Sequence, residues 1–187
     1  MHYCFHLFSK NLPSMDEIEK ILEPYNDEKF FCDDDEKEEC EFPTFTWDWF
    51  QIGGRYHGGL KLKVDMKDEL YRWQFYQNEP REGRLFYSML LRRLRENLPQ
   101  WMKAEEDYFG YLGFAEGYLR VDGAKISDLM NVEDLGCFGF IDIDGKAYAR
   151  ESWNGEDFIK NEKFDEQYEK ALKDRTDCFL TVLDIHD

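Results

Sequence analysis

The residues best suited to chemistry lie in one stretch, FTWDWFQIGGRYHGGLKLK, which spans Phe45–Lys63. Within it, Asp48 and His57 are candidates for an acid–base pair. A carboxylate can orient an imidazole, and histidine exchanges protons close to neutral pH. An enzymatic interpretation of the sequence therefore assigns catalysis to these two side chains.

The same stretch contains a glycine-rich bend at residues 53–59. Gly53, Gly54 and Arg55 could bind an anion, since backbone N–H groups in a bend and a guanidinium both contact phosphates. The segment is neither a Walker A loop nor a dinucleotide-binding glycine motif. The favoured interpretation is a bent strand whose arginine pairs with a nearby carboxylate such as Asp48. The alternative is a small enzyme or ligand-binding module that acts on a nucleotide or nucleic acid.

Other catalytic and metal-binding patterns are weak. The chain has no G-x-S-x-G motif, and its five cysteines have no C-x-x-C spacing, which predicts reduced thiols. His6, His186 and Asp184 or Asp187 would converge on a metal only if the first and last strands were neighbours. We expect no metal site and no cofactor.

Charge gives the strongest indication of function. The chain has 41 acidic and 24 basic residues, a net charge of −17. Such a field repels phosphate backbones and disfavours direct nucleic-acid binding and anionic membranes. It fits either a simply soluble surface or a surface that docks onto a basic, nucleic-acid-binding partner.

The negative charge is concentrated in an acidic loop at residues 26–43. We expect partner-binding residues there and just before it, with aromatic side chains as anchors and carboxylates that replace phosphates. These residues are Tyr25, Phe30, Phe31, Asp33, Asp34, Asp35, Glu36, Glu38 and Glu39. A basic group of five arginines, Arg81, Arg84, Arg92, Arg93 and Arg95, is favoured to pair with the chain's own carboxylates.

Hydrophobic periodicity predicts the elements that position these residues. Strands are predicted at His2–Phe8, Trp47–Ile52, Leu60–Val64 and Cys178–Ile185, and a hairpin within Cys137–Arg150 that turns at Asp144-Gly145. Helices are predicted after Ser14, where Glu17 completes a capping box, at Arg84–Leu98 and at Phe164–Asp174. Trp47 and Trp49 are expected on one face, and Trp47–Lys63 as a bent strand pair at the centre of the sheet.

The order of the predicted strands and helices along the chain indicates a single α+β domain over residues 1–187, with an insertion at about 65–135. The predicted topology is ferredoxin-like, a split β-α-β antiparallel sheet with helices on one face and a helical insertion.

Three segments resemble a group of phage, prophage and mobile-element proteins that have no established activity. They are WDWFQIGGRY at Trp47–Tyr56, DGKAYAR at Asp144–Arg150 and FLTVLDIH at Phe179–His186. The first segment fits the distinctive pattern W-D-W-[YF]-x-I-G-G-R-[WY]. The resemblance implies a mobile-element setting and assigns no catalytic role.

Together these features favour a non-enzymatic, acidic interaction protein that inhibits a basic host protein by nucleic-acid mimicry. A CRISPR nuclease or another defence effector is an example of such a partner. The start of the chain lacks a signal-peptide pattern, and no stretch approaches the ~18 apolar residues of a membrane span. We therefore expect a cytoplasmic protein.

Overall fold

The computed structural model describes residues 1–29, 43–63, 118–130, 132, 135–154 and 156–187. In this part of the chain, ten strands and two α-helices form a mixed α+β fold, which confirms the predicted class. The strands are β1 His2–Ser9, β2 Trp49–Ile52, β3 Leu60–Lys63, β4 Tyr118–Val121, β5 Gly123–Lys125, β6 Gly139–Ile141, β7 Ala147–Ala149, β8 Glu151–Trp153, β9 Phe158–Lys160 and β10 Phe179–His186. The helices are α1 Met15–Leu22 and α2 Phe164–Asp174.

Helix α1 begins with the predicted capping box. The Ser14 hydroxyl accepts a hydrogen bond from the Glu17 amide, and the Glu17 carboxylate accepts one at 2.8 Å from the Ser14 amide. These bonds satisfy amides that the first helical turn leaves without partners. Ile18 and Leu22 face the core and are fully buried. The sequence therefore determines both where this helix starts and which side it buries.

The main sheet is organised around β10 and β1. Its strand order is β2-β10-β1-β6-β7, and β5 also pairs with β10. β1 and β10 are antiparallel over eight residue pairs, from His2 with His186 to Ser9 with Phe179. β6, in contrast, runs parallel to β1. The ferredoxin-like topology is not confirmed, because that topology alternates strand directions and here two parallel strands pair directly.

The two helices lie on opposite faces of the sheet, so the prediction of helices on one face is wrong. Alternate residues of β1 and β10 point to opposite sides. Leu180 and Val182 pack in the same buried cluster as α2. Leu183 and Ile185 pack in a second buried cluster with α1. Two helix-covered faces explain why β10 is buried almost along its whole length.

The predicted central strand pair at Trp47–Lys63 is also wrong. β2 lies at one edge of the main sheet, whereas β3 pairs with β4 in a separate two-stranded sheet. Trp47 precedes β2 and is buried, and its indole N–H donates to the Leu22 carbonyl at 2.7 Å. Trp49 is 47% exposed. The two tryptophans do not share a face, because Trp47 does not follow the alternation of the strand.

Residues 118–130 fall within the predicted insertion, and they supply β4 and β5. β5 joins the main sheet through β10, so this part of the chain belongs to the core. The predicted helix Arg84–Leu98, the arginine group and most of the acidic loop lie outside the described residues. Within the described part, no helix is long and apolar enough to cross a membrane.

Candidate functional site

The glycine bend between β2 and β3 is a compact turn with an unusual backbone. Gly53, Gly54 and Gly58 have φ angles of 69°, 48° and 70°, which side chains with a Cβ rarely adopt. A short 3-10 turn at Gly54–Tyr56 lies between them. The bend brings the chain back over the middle of β10, where the Gly53 amide donates to the Val182 carbonyl at 2.9 Å.

Two buried carboxylates hold this bend, and sequence reasoning missed one of them. Asp122 and Asp184 are each 1% exposed. Asp122 accepts a hydrogen bond from the Gly58 amide at 2.6 Å, and Asp184 accepts one from the Arg55 amide at 2.8 Å. A buried carboxylate needs such donors, because without them its desolvation would cost several kcal/mol.

The glycines allow the backbone to pass directly over these carboxylates. A Cβ added at Gly53 would lie 2.5 Å from the Asp122 carboxylate. One added at Gly54 would overlap the Asp184 side chain. Each added Cβ would lie closer to a carboxylate than ordinary van der Waals contact allows. Side chains at Gly53 and Gly54 would therefore displace the carboxylates of Asp122 and Asp184.

Two backbone amides of the anion cradle predicted at Gly53, Gly54 and Arg55 already have internal partners. The Gly53 amide donates to a strand carbonyl, and the Arg55 amide donates to Asp184. The amides of Tyr56 and His57 donate to carbonyls of Gly53 and Gly54 at 2.8 and 3.3 Å. These four amides donate to the protein's own carboxylate and carbonyl oxygens in the described structure.

The predicted pair of Asp48 with His57 is not formed. His57 Nδ1 lies 2.6 Å from Asp122 Oδ2, whereas Asp48 Oδ1 lies 2.8 Å from His186 Nδ1. Burial raises the pKa of Asp122, while the Gly58 amide and His57 act in the opposite direction. The hydrogen bond from His186 lowers the pKa of Asp48. The two carboxylates thus belong to separate pairs in different environments.

The first and last strands are neighbours, as the metal-site alternative required, but His6 and His186 do not converge on a common site. His2 Nδ1 lies 2.8 Å from Asp184 Oδ1, and the His2 and His186 ring centres are 4.8 Å apart. His6 lies deeper, where its Nδ1 is 2.5 Å from the Tyr168 hydroxyl. Among the described residues, no three His, Cys, Asp or Glu side chains form a group that could hold a metal ion.

The interior side chains next to His6 are polar but unreactive. Burial raises the pKa of Cys4 to about 12 and also raises the pKa of Cys137 and Tyr168. Burial lowers the pKa of His6 to about 4. Near neutral pH this group is therefore uncharged, which is compatible with its position in the core beside α2. Its thiols are not candidates for nucleophiles.

Tyr25 is the one predicted partner-binding residue within the described part of the chain, and it has a structural role. Its hydroxyl donates to the Gly145 carbonyl at 2.8 Å and accepts from the Ala147 amide at 3.0 Å. Its ring stacks on Phe45 with centres 4.7 Å apart. These contacts join the end of α1 to the β6–β7 hairpin. The remaining predicted partner-binding residues, Phe30, Phe31, Asp33, Asp34, Asp35, Glu36, Glu38 and Glu39, lie outside the described residues.

Comparison with known proteins gives no family for this chain. No protein-family model, no curated protein and no solved structure matches it. The resemblance to the phage and mobile-element group stays a prediction.

Proposed function

We propose that the chain is a non-enzymatic, cytoplasmic interaction protein of a phage or mobile element. It binds a basic, nucleic-acid-binding host protein, such as a defence effector, and competes with the nucleic acid of that protein. The net charge of −17 is the observation that carries this proposal. Carboxylates on the surface replace phosphates as partners of lysine and arginine side chains.

The described structure supports an acidic face larger than the acidic loop alone. Residues 15–25, which precede that loop, contain four carboxylates and one lysine. Asp16, Glu19 and Glu23 follow at helical spacing around α1 and its continuation, and all three are exposed. The chain then enters the acidic loop at residues 26–43. A row of exposed negative charge along α1 and the turn after it therefore precedes a segment with still higher negative charge.

The first test is a competition experiment. The tagged chain is used to capture proteins from a bacterial lysate, and each captured protein is purified and assayed for binding to the chain and to DNA or RNA. We expect a basic protein whose affinity for the chain falls as salt rises, because the Debye length shortens from about 10 Å at 0.1 M to about 3 Å at 1 M. Nucleic acid should displace the chain. Salt-independent binding, or binding that nucleic acid leaves intact, would refute mimicry.

A matched pair of variants locates the interaction. The triple variant Asp33→Asn, Asp34→Asn, Asp35→Asn removes three charges from the acidic loop. The control Glu156→Gln, Glu166→Gln, Asp177→Asn removes three charges from exposed positions elsewhere. We expect only the first variant to lose affinity. Equal losses would show that net charge alone drives binding.

A second candidate function, a small enzyme that acts on a nucleotide or nucleic acid, is favoured by the pair His57–Asp122. The His57 side chain is 43% exposed and its partner carboxylate is 1% exposed. A buried carboxylate that orients an exposed imidazole is typical of a general base. The test is hydrolysis of a nucleotide and oligonucleotide panel by the wild type, His57→Asn and the control Asp48→Asn. Activity lost only in His57→Asn would support the enzyme, and no activity in the wild type would refute it.

A further inference from the structure

A cavity of about 220 Å³ opens at one end of the main sheet, and its lining includes no residue of the glycine bend. It lies between β1, the segment 43–46 and the β8–β9 hairpin. Five aromatic side chains line it: Tyr3, Phe45, Phe138, Trp153 and Phe158. Pockets for drug-sized molecules measure roughly 300–1,000 Å³, so this cavity is of a size for a single amino-acid side chain.

The inner wall of the cavity is fixed by ring contacts. The Phe45 ring packs against Phe5 with centres 4.3 Å apart, and it also stacks on Tyr25. Tyr3 and Phe138 lie 4.4 Å apart. These contacts with the core position the rings before a ligand binds, which lowers the entropy cost of binding.

The outer wall is formed by the β8–β9 hairpin and is open to solvent. Trp153 and Phe158 pack against each other with centres 5.1 Å apart, yet they remain 41% and 66% exposed. Ile159 on the same hairpin is 51% exposed. Large apolar side chains that remain exposed beside a cavity are typical of a binding surface.

Two carboxylates, Glu151 and Asp187, complete the lining. Asp187 Oδ1 accepts a hydrogen bond from the Thr46 hydroxyl at 2.7 Å, which engages one of its two oxygens. Lys160 is the cross-strand neighbour of Glu151. Its ammonium group, however, contacts Glu162 at 3.3 Å. The cavity therefore combines aromatic faces with negative charge.

The same two carboxylates influence the pKa of Tyr3. Burial raises the pKa of the Tyr3 hydroxyl, and the charges of Asp187 and Glu151 raise it further. Both carboxylates therefore act on the same aromatic residue of the cavity wall.

We propose that this cavity binds the guanidinium group of an arginine side chain on a basic partner protein. A guanidinium stacks on aromatic faces and donates several N–H bonds to carboxylates, so it matches both parts of the lining. A quaternary ammonium has no N–H to donate, and a phosphate would be repelled by Glu151 and Asp187. This inference rests on the proposed function, because it specifies how a basic partner is recognised at a second point.

The test uses an isolated probe, N-acetyl-arginine methylamide, and its uncharged isostere N-acetyl-citrulline methylamide. Binding to the full chain is followed by amide and indole NMR shifts, with the Trp153 indole signal identified from Trp153→Phe. We expect the arginine probe to shift Trp153 and Phe138 signals and to bind at least about fivefold more tightly than citrulline.

Three variants check the assignment. Glu151→Gln should weaken arginine binding about two- to fivefold, as for a solvent-accessible ion pair. Trp153→Ala should weaken it roughly three- to tenfold through loss of the ring face. Glu166→Gln, an exposed carboxylate on α2 that does not line the cavity, should leave it unchanged.

The proposal is overturned if citrulline binds as tightly as arginine, if a trimethyl-lysine probe binds more tightly, or if the Trp153 signal does not move. It is also overturned if both Glu151→Gln and Trp153→Ala bind like the wild type. No partner protein enters this assay. Failure of the probe assay would leave the acidic-loop proposal standing. A failed competition experiment would remove the partner protein from the inference, while arginine binding by the cavity would still be measured by the probe.

Discussion

Replacing Gly53 with alanine tests whether a buried carboxylate dictates the glycine bend. Gly53 has φ 69° and ψ −64°, a strained region for residues with a Cβ. A new Cβ would lie 2.5 Å from the Asp122 carboxylate. Backbone strain costs about 1–2 kcal/mol, and overpacking adds about 1–3 kcal/mol. We therefore expect the free energy of unfolding to fall by about 2–5 kcal/mol.

Two other glycines separate these contributions. Gly145 has φ 82° and no atom within 4 Å of an added Cβ, so Gly145→Ala should cost only the strain, about 1–2 kcal/mol. Gly136 has no neighbour within 4 Å and no positive φ. Gly136→Ala should be neutral or stabilising by up to about 1 kcal/mol. Urea unfolding, followed by tryptophan fluorescence and circular dichroism, measures all three.

The reasoning is refuted if Gly53→Ala costs no more than Gly145→Ala. A double-mutant cycle provides a second check. In an Asp122→Ala background the added Cβ would no longer meet a carboxylate. Gly53→Ala should then lower the free energy of unfolding only by the backbone strain at the positive φ. An unchanged cost in that background would mean that Asp122 does not require the glycine.

Two further predictions follow from the buried group beside α2. Burial lowers the pKa of His6 from 6.5 to about 4, so the unfolded chain takes up a proton before the folded protein does. Stability should therefore fall as pH drops from 6.5 toward 4, by up to about 3 kcal/mol from this residue. Urea unfolding at several pH values should show a weaker dependence in His6→Gln, and an unchanged dependence would contradict the assignment. Burial also raises the pKa of Cys4 and Cys137. Iodoacetamide at pH 8 should label them rapidly only in denaturant, as read by mass spectrometry; rapid labelling of the folded protein would contradict the raised pKa of both thiols.

The sequence predicted both described α-helices and six of the ten described strands, because their signals are local, whereas β4, β5, β8 and β9 were not predicted. The capping box at Ser14 and Glu17 sets the start of α1. The apolar spacing of Phe164–Asp174 predicted α2 with the observed bounds. Each signal depends on residues a few positions apart, so no knowledge of the tertiary fold was needed.

The candidate site was harder to predict because its residues meet only through strand register. Asp122 and His57 are far apart in sequence, and their contact depends on how β5, β10 and the glycine bend assemble. One signal was available. Asp184 interrupts the apolar run FLTVLDIH, and a carboxylate in such a strand must find buried donors. The position of Asp184 in this run predicts a buried polar partner but does not identify the residue that supplies it.

The antiparallel pairing of β1 with β10 also constrains how the protein is made. Phe5 pairs with Leu183, so the middle of the sheet joins segments separated by almost the whole described chain. Such a high contact order slows folding, because a very long loop must close before the central pairing forms. Ribosomes add about 5–20 residues per second. The edge of β1 that pairs with β10 therefore stays unpaired for many seconds during synthesis. We expect the nascent chain to depend on chaperones until residues 179–186 emerge from the ribosome.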